Sequence, residues 1–127
     1  METMKLYNGV EVPANGFGVY QVSKEDCKES VLTALKTGYR HIDTAQSYFN
    51  ESEVGEALKE SDVPRKEIFL TTKVWIDNYG EGKTYDSVVE SLKKLQTDYL
   101  DLILLHQPVG DYYAAYRDLE KLYEEGK

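Results

Sequence analysis

Residues 68–74 read Ile-Phe-Leu-Thr-Thr-Lys-Val, an apolar and β-branched run interrupted by one lysine near its end. A run of this length and composition reads as a strand buried on both faces, the kind found in parallel sheets. Upstream, 39–45 (YRHIDTA) is a second such segment, and it carries Asp43 at the same relative position. Downstream, 100–106 (LDLILLH) is a third, ending in His106. Asp43, Lys73 and His106 therefore leave three successive strands at their carboxyl ends. Tyr48 follows Asp43 by five residues, in the loop after the same strand.

Outward from these strands the pattern alternates strand and helix in units of roughly thirty residues, the spacing of βαβ repeats. The stretch 5–13 reads as a hairpin turned at Asn8-Gly9, with Leu6, Val10 and Val12 around the turn. A short strand is expected at 16–20. A helix follows, capped at Ser23 with Asp26 three residues on, burying Cys27, Val31, Ala34 and Leu35 and stopping at Gly38. The second strand, 39–44, leads to a helix over 51–60 with Val54, Ala57 and Leu58 inward, ended before Pro64. A third helix is expected over 84–96, with Thr84 as cap and Val88, Val89, Leu92 and Leu95 inward. A fourth, over 112–125, turns Ala115, Leu119, Leu122 and Tyr123 inward and ends at Gly126. The Lys/Glu runs at 56–67 and 117–127 read as solvated helix faces. The whole is α/β: a single domain over 1–127, with a hairpin and four βα units spanning 16–126. A parallel sheet with helices outside is the architecture that covers such strands. The closed barrel form takes eight units in about 250 residues, so four units make half of one.

The totals agree with a packed domain. A chain of 127 residues buries roughly two-thirds of its unfolded surface. The net charge of -8 repels phosphate backbones, so neither nucleic acid nor an anionic membrane is an expected partner. No apolar stretch is long enough to span a bilayer. The stretch METMKLYNGVEV carries no apolar leader, and a single cysteine, Cys27, excludes an intrachain disulfide; both fit a cytoplasmic location.

In α/β barrels chemistry collects at the carboxyl edge of the sheet, where neighbouring loops converge. Lys73 is set among apolar residues, and Asp43, one strand away at the same level, is its expected counter-charge. Tyr48 could then rest against Lys73, where an ammonium favours loss of the phenolic proton. His106 could hydrogen-bond a substrate oxygen. Such a group suits donating a proton to an oxygen while something else adds to its carbon. Each residue has a plainer reading: Lys73 as half of a structural ion pair, Asp43 as a strand terminator, His106 as a strand-end hydrogen-bonder, Tyr48 as one tyrosine among eleven. A barrel lysine could also form a Schiff base. What favours chemistry is three different ionisable types at one relative position on consecutive strands. Trp75 and Ile76 could wall a pocket or simply pack. His41 and Asp43 form H-x-D on one face, but no further ligand pairs complete a metal site, and none is expected. Gly16-Phe-Gly18 lacks the third glycine of a dinucleotide fingerprint.

The segments LYNGVEVPANGFGVYQV, GYRHIDTAQSYFNESEVGEAL, RKEIFLTTKVW, LQTDYLDLILLHQP and LEKLYEEGK, in this order, resemble the aldo-keto reductases nearly end to end. The resemblance implies an (α/β)8 TIM barrel, of which this chain is the N-terminal (βα)4 half, with the hairpin closing the bottom. It implies NADPH-dependent reduction of aldehydes or ketones, with Asp43, Tyr48, Lys73 and His106 as the catalytic tetrad and Tyr48 as proton donor. It implies that Gly18, Val19 and Tyr20 approach the nicotinamide, that Asp43 reaches the adjacent ribose, and that Tyr20, Trp75 and His106 border the carbonyl substrate. Family chains continue into four more strands that supply the amide-recognising, ring-stacking and phosphate-holding residues. Weak or absent NADPH binding is therefore expected of residues 1–127 alone, and self-association through open sheet edges is an expected alternative to catalysis.

Overall fold

A computed structural model describes residues 1–127. The first two strands, β1 (Thr3–Lys5) and β2 (Glu11–Pro13), form an antiparallel hairpin in which Met4 faces Val12. It begins two residues earlier than its sequence suggests. Four parallel strands follow in chain order: β3 (Phe17–Gly18), β4 (His41–Asp43), β5 (Phe69–Val74) and β6 (Leu102–Leu105). Helices α1 (Lys24–Thr37), α2 (Glu51–Glu60), α3 (Lys83–Leu95) and α4 (Tyr112–Glu124) alternate with them. No helix is long and apolar enough to cross a membrane.

The register sorts the strand residues by face. Asp43 lies beside Thr71, and Lys73 beside Leu104. With a period of two, His41, Asp43, Phe69, Thr71, Lys73, Leu102, Leu104 and His106 share one face. Ile42, Leu70, Thr72, Val74, Ile103 and Leu105 share the other. Helices cover only the second face. Val19, Ile42 and Leu70 pack with Val31, Leu35, Val54 and Leu95 in one core cluster, while Val74 joins Val88, Leu92, Ala115, Leu119 and Leu122 in another.

Local chemistry accounts for the helix ends. Ser23 Oγ accepts from the Asp26 backbone N–H and donates to the Asp26 carboxylate, a reciprocal cap. Gly38, at φ 116°, takes the left-handed stop. Gly55 is dictated by packing: a Cβ there would stand 2.2 Å from the Lys94 carbonyl oxygen, so α2 and α3 approach backbone to backbone.

Several expectations need correction. The strands are shorter than their apolar runs, most of all β3, whose two residues leave the rest of 16–20 as loop. Thr84 is not the cap of α3. Gly82 precedes the helix, and Thr84 lies buried inside its first turn, donating to the Asn78 carbonyl and accepting from the Gly80 N–H. Tyr123 faces out at 71% exposure; it lies one residue past the edge of the stripe that Leu119 and Leu122 define. Leu58 and Val89 are only half-buried. The charged runs are not solvated throughout. Arg65 donates to the Ile68 and Tyr99 carbonyls and pairs with Asp101, and buried Asp118 accepts from the Tyr85 N–H.

Candidate active site

Three strand ends and one loop meet at the carboxyl edge of the sheet. Lys73 Nζ lies 2.5 Å from Asp43 Oδ1, 3.0 Å from the Thr44 carbonyl oxygen and 3.4 Å from Tyr48 Oη. An ammonium has three N–H donors, and here each has an acceptor. The pair is sheltered without being sealed: the Lys73 side chain is 14% exposed, that of Asp43 32%. A lysine nitrogen with three acceptors around it is tied up on every side, which disfavours the Schiff-base reading.

Tyr48 reaches the cluster through a 3-10 turn, Gln46–Tyr48, in the loop after β4, closed by Phe49 in the left-handed region. Its ring stands edge-on to His106 at 5.8 Å and tilted against Tyr20 at 5.2 Å. His106 extends the ladder past β6, its N–H bonding the Val74 carbonyl at 3.0 Å. Its imidazole lies edge-on to Trp75 at 5.5 Å, with Ser47 Oγ 3.4 Å from Nδ1. Burial, and secondarily the Lys73 ammonium, push the His106 imidazole below its ordinary range, with Asp43 opposing. Both effects favour the neutral imidazole. Asp43, Tyr48, Lys73, His106, Trp75 and Tyr20 thus form one connected cluster on the face that helices leave uncovered.

Gly18 lies beside Asp43 in the ladder, and a Cβ built on it would meet nothing within 4 Å. The Val19 N–H bonds the Asp43 carbonyl at 3.1 Å, but the Val19 side chain is fully buried in the helix-side core, so only its backbone borders the rim. Tyr20 is 65% exposed over the mouth. His41 shares the face of Asp43 but bonds Thr71 Oγ1 and packs edge-on against Phe69.

A family model for the aldo/keto reductases matches residues 13–127. The chain belongs to the aldo/keto reductase family. It is 50% identical to the glyoxal reductase of Bacillus subtilis over 99% of its own length and 46% of the relative's. It is 44% identical to the methylglyoxal reductase DkgA of Escherichia coli over 97% of its length and 45% of that protein's. Among solved structures, an aldo/keto reductase from Brucella melitensis superposes with a TM-score of 0.96 at 45% identity, covering 98% of this chain and 49% of that one. A Bombyx mori aldo-keto reductase in complex with NADP superposes at 0.93 with 31% identity over 98% of this chain and 47% of that one. This aldo/keto reductase chain spans about half the length of the curated relatives it matches. Its four-stranded parallel sheet and hairpin correspond to the same share of the solved structures.

The sequence gives little sign of the residues that hold this rim together. Asn50, placed like a helix cap, makes no capping bond. Fully buried, it donates to the Val19 and Val22 carbonyls and accepts from Thr44 Oγ1, tying the loop after β3 to the loop after β4. Tyr79 Oη donates to the Gln107 carbonyl, joining the loops after β5 and β6.

Proposed function

We propose that this rim reduces the carbonyl of a small aldehyde or ketone to an alcohol, using NADPH. The observation that carries the reading is the bonding of Lys73. Because Lys73 donates to Tyr48 Oη, that oxygen is an acceptor on the lysine side, and its own hydrogen is left for a substrate oxygen. NADPH, when bound, supplies hydride to the carbonyl carbon. Tyr48 donates its proton to the carbonyl oxygen, and the adjacent ammonium stabilises the phenolate left behind. Asp43 and the Thr44 carbonyl fix the ammonium in place. In the tautomer in which Nδ1 accepts from Ser47 Oγ, 3.4 Å away, His106 carries its proton on Nε2 and orients the same oxygen. Trp75 and Tyr20 wall the pocket.

The residues present fit a nicotinamide. Gly18 offers open backbone beside the partly exposed Asp43 carboxylate, which suits a flat ring with ribose hydroxyls on Asp43. The Gly18-Val19-Tyr20 backbone would border the ring. The NADP complex of the Bombyx mori relative supports the cofactor, and the names of the bacterial relatives point to α-dicarbonyls such as glyoxal and methylglyoxal. A net charge of -8 opposes a dinucleotide anion unless a phosphate clamp is supplied, so the affinity of residues 1–127 alone is expected to be low. NADPH titration by fluorescence, followed by turnover of methylglyoxal, tests the reading. Binding with reduction supports it; bound NADPH that never reduces a carbonyl counts against it.

A second reading rests on the edges of the sheet. Strands β3 and β6 each pair on one side only, and Leu104 is 41% exposed on the uncovered face. Such edges favour association with a second copy or a complementary half. Sedimentation giving a monomer at micromolar concentration would exclude self-pairing.

A further inference from the structure

We propose that Gln46 is a positioning residue that sets Trp75 against His106, and so shapes the substrate side of the rim. The inference rests on the carbonyl-reducing reading of that rim. Gln46 lies in the loop after β4, half-buried, and both ends of its amide are engaged. Its Oε1 accepts from the Trp75 backbone N–H at 2.9 Å and from Asn78 Nδ2 at 2.8 Å. Its Nε2 donates to Ser91 Oγ at 3.1 Å and Ser87 Oγ at 3.2 Å. The Trp75 N–H can only donate, so the oxygen must face it and the amide orientation is settled.

Trp75 is where the chain leaves β5, two residues after Lys73, so a side chain from another loop anchors the backbone that carries the indole. The serines complete the case. Ser87 Oγ already donates to the Thr84 carbonyl and Ser91 Oγ to Glu51 Oε1, so both hydroxyl protons are committed. They can only accept from Gln46. A directed chain results: Trp75 N–H to Gln46, Gln46 to Ser91, Ser91 to Glu51, with Thr72 Oγ1 donating to the other Glu51 oxygen at 2.7 Å. Glutamate at position 46 has the right shape but no donor. It would set a carboxylate oxygen against serine lone pairs and near a buried carboxyl. Shape alone therefore does not satisfy the site.

Trp75 is the single tryptophan of the chain, which makes the test direct. A protonated imidazole in contact with an indole quenches its fluorescence, so the Trp75 emission of the 127-residue chain reports His106 protonation. The groups facing His106 are Lys73 of β5, Asp43 of β4, and Tyr48 and Ser47 of the loop after β4; His106→Gln identifies the transition as its own. The wild type is expected to show this quenching transition on acidification, below the ordinary imidazole value of about 6.5. Gln46→Leu and Gln46→Glu are each expected to cut its amplitude by about half or more and to speed hydrogen exchange at the Trp75 amide about fivefold, with core amides of α1 unchanged. Where Gln46→Leu fails to fold, Gln46→Glu is read alone. Where both fail, Ser87→Ala, which removes one remote acceptor, is read for a smaller change in the same direction. Wild-type amplitude and exchange in the folded variants would overturn the proposal. None of these readouts needs turnover. Bound NADPH that reduces no carbonyl would count against Tyr48 as proton donor without touching Gln46, and wild-type fluorescence and exchange in the Gln46 variants would count against Gln46 without touching Tyr48.

Discussion

The two faces of the sheet are made by the same strands and have opposite characters. Toward the helices, Ile42, Leu70 and Val74 are fully buried, and each sits in a packed cluster. Away from them, Asp43, Lys73 and His106 are partly exposed, hydrogen-bonded and clustered at one edge. One face is the packed core and the other holds the polar cluster proposed for chemistry, and the period of two keeps them separate: Thr72 and Lys73 are neighbours in sequence yet face opposite ways. Thr72 donates to buried Glu51 between the sheet and α2, while Lys73 charges the rim.

The sharpest way to break this division is to attack the helix face at its centre. Leu70→Ala deletes a fully buried side chain and is expected to cost about 2–5 kcal/mol in chemical denaturation, enough to unfold much of a marginal domain. A loss under about 1 kcal/mol would mean that this face is not the core. Gly55→Ala probes the same layer through the α2–α3 contact. The added methyl has no room against the Lys94 carbonyl, so a loss of about 1–3 kcal/mol is expected, and a neutral result would mean that the helices separate freely.

Glu51 sharpens the comparison, since it is a carboxyl on the packed side. Burial pushes it above the ordinary glutamate range, against the opposing hydrogen bonds from Thr72 and Ser91. A carboxyl raised on folding stabilises fully below its unfolded value and loses that contribution as pH rises through its folded value. Glu51→Gln is therefore expected to gain thermal midpoint relative to the wild type as pH is raised from acid to mildly basic. A gap independent of pH would show that Glu51 does not change its ionisation there. On the open face, Leu104→Ser is expected to change stability by less than about 0.5 kcal/mol by the same denaturation assay. A larger loss would mean that this face is already covered in solution, as pairing of two copies would require.

Much of this was legible in the sequence because it rests on local period and on position along a strand. The inward stripe of α1 and the span of α2 follow from spacing alone. Asp43, Lys73 and His106 stand out because a charge at the end of an apolar strand is conspicuous. Tyr48 does not: nothing local separates it from ten other tyrosines, and its role depends on a turn that returns its ring to a neighbouring strand end. Gln46, Asn50 and Glu51 were illegible for a related reason. Each looks like a polar loop or cap residue, and most of its partners lie 21–45 residues away in sequence. Tyr123 and Thr84 fell at the margins of their helices, where one residue of phase reverses the assignment.

The proposed proton transfer runs from Tyr48, held by Lys73, to a carbonyl oxygen. It is tested most directly by completing the barrel. Residues 1–127 replace the matching half of the Bacillus subtilis glyoxal reductase, and NADPH oxidation by glyoxal is measured with Tyr48 and with Tyr48→Phe. Turnover that falls about 10²–10⁴-fold in the phenylalanine variant, with NADPH binding unchanged, is the predicted result. A Tyr48→Phe chimera that turns over at the parent rate would contradict it.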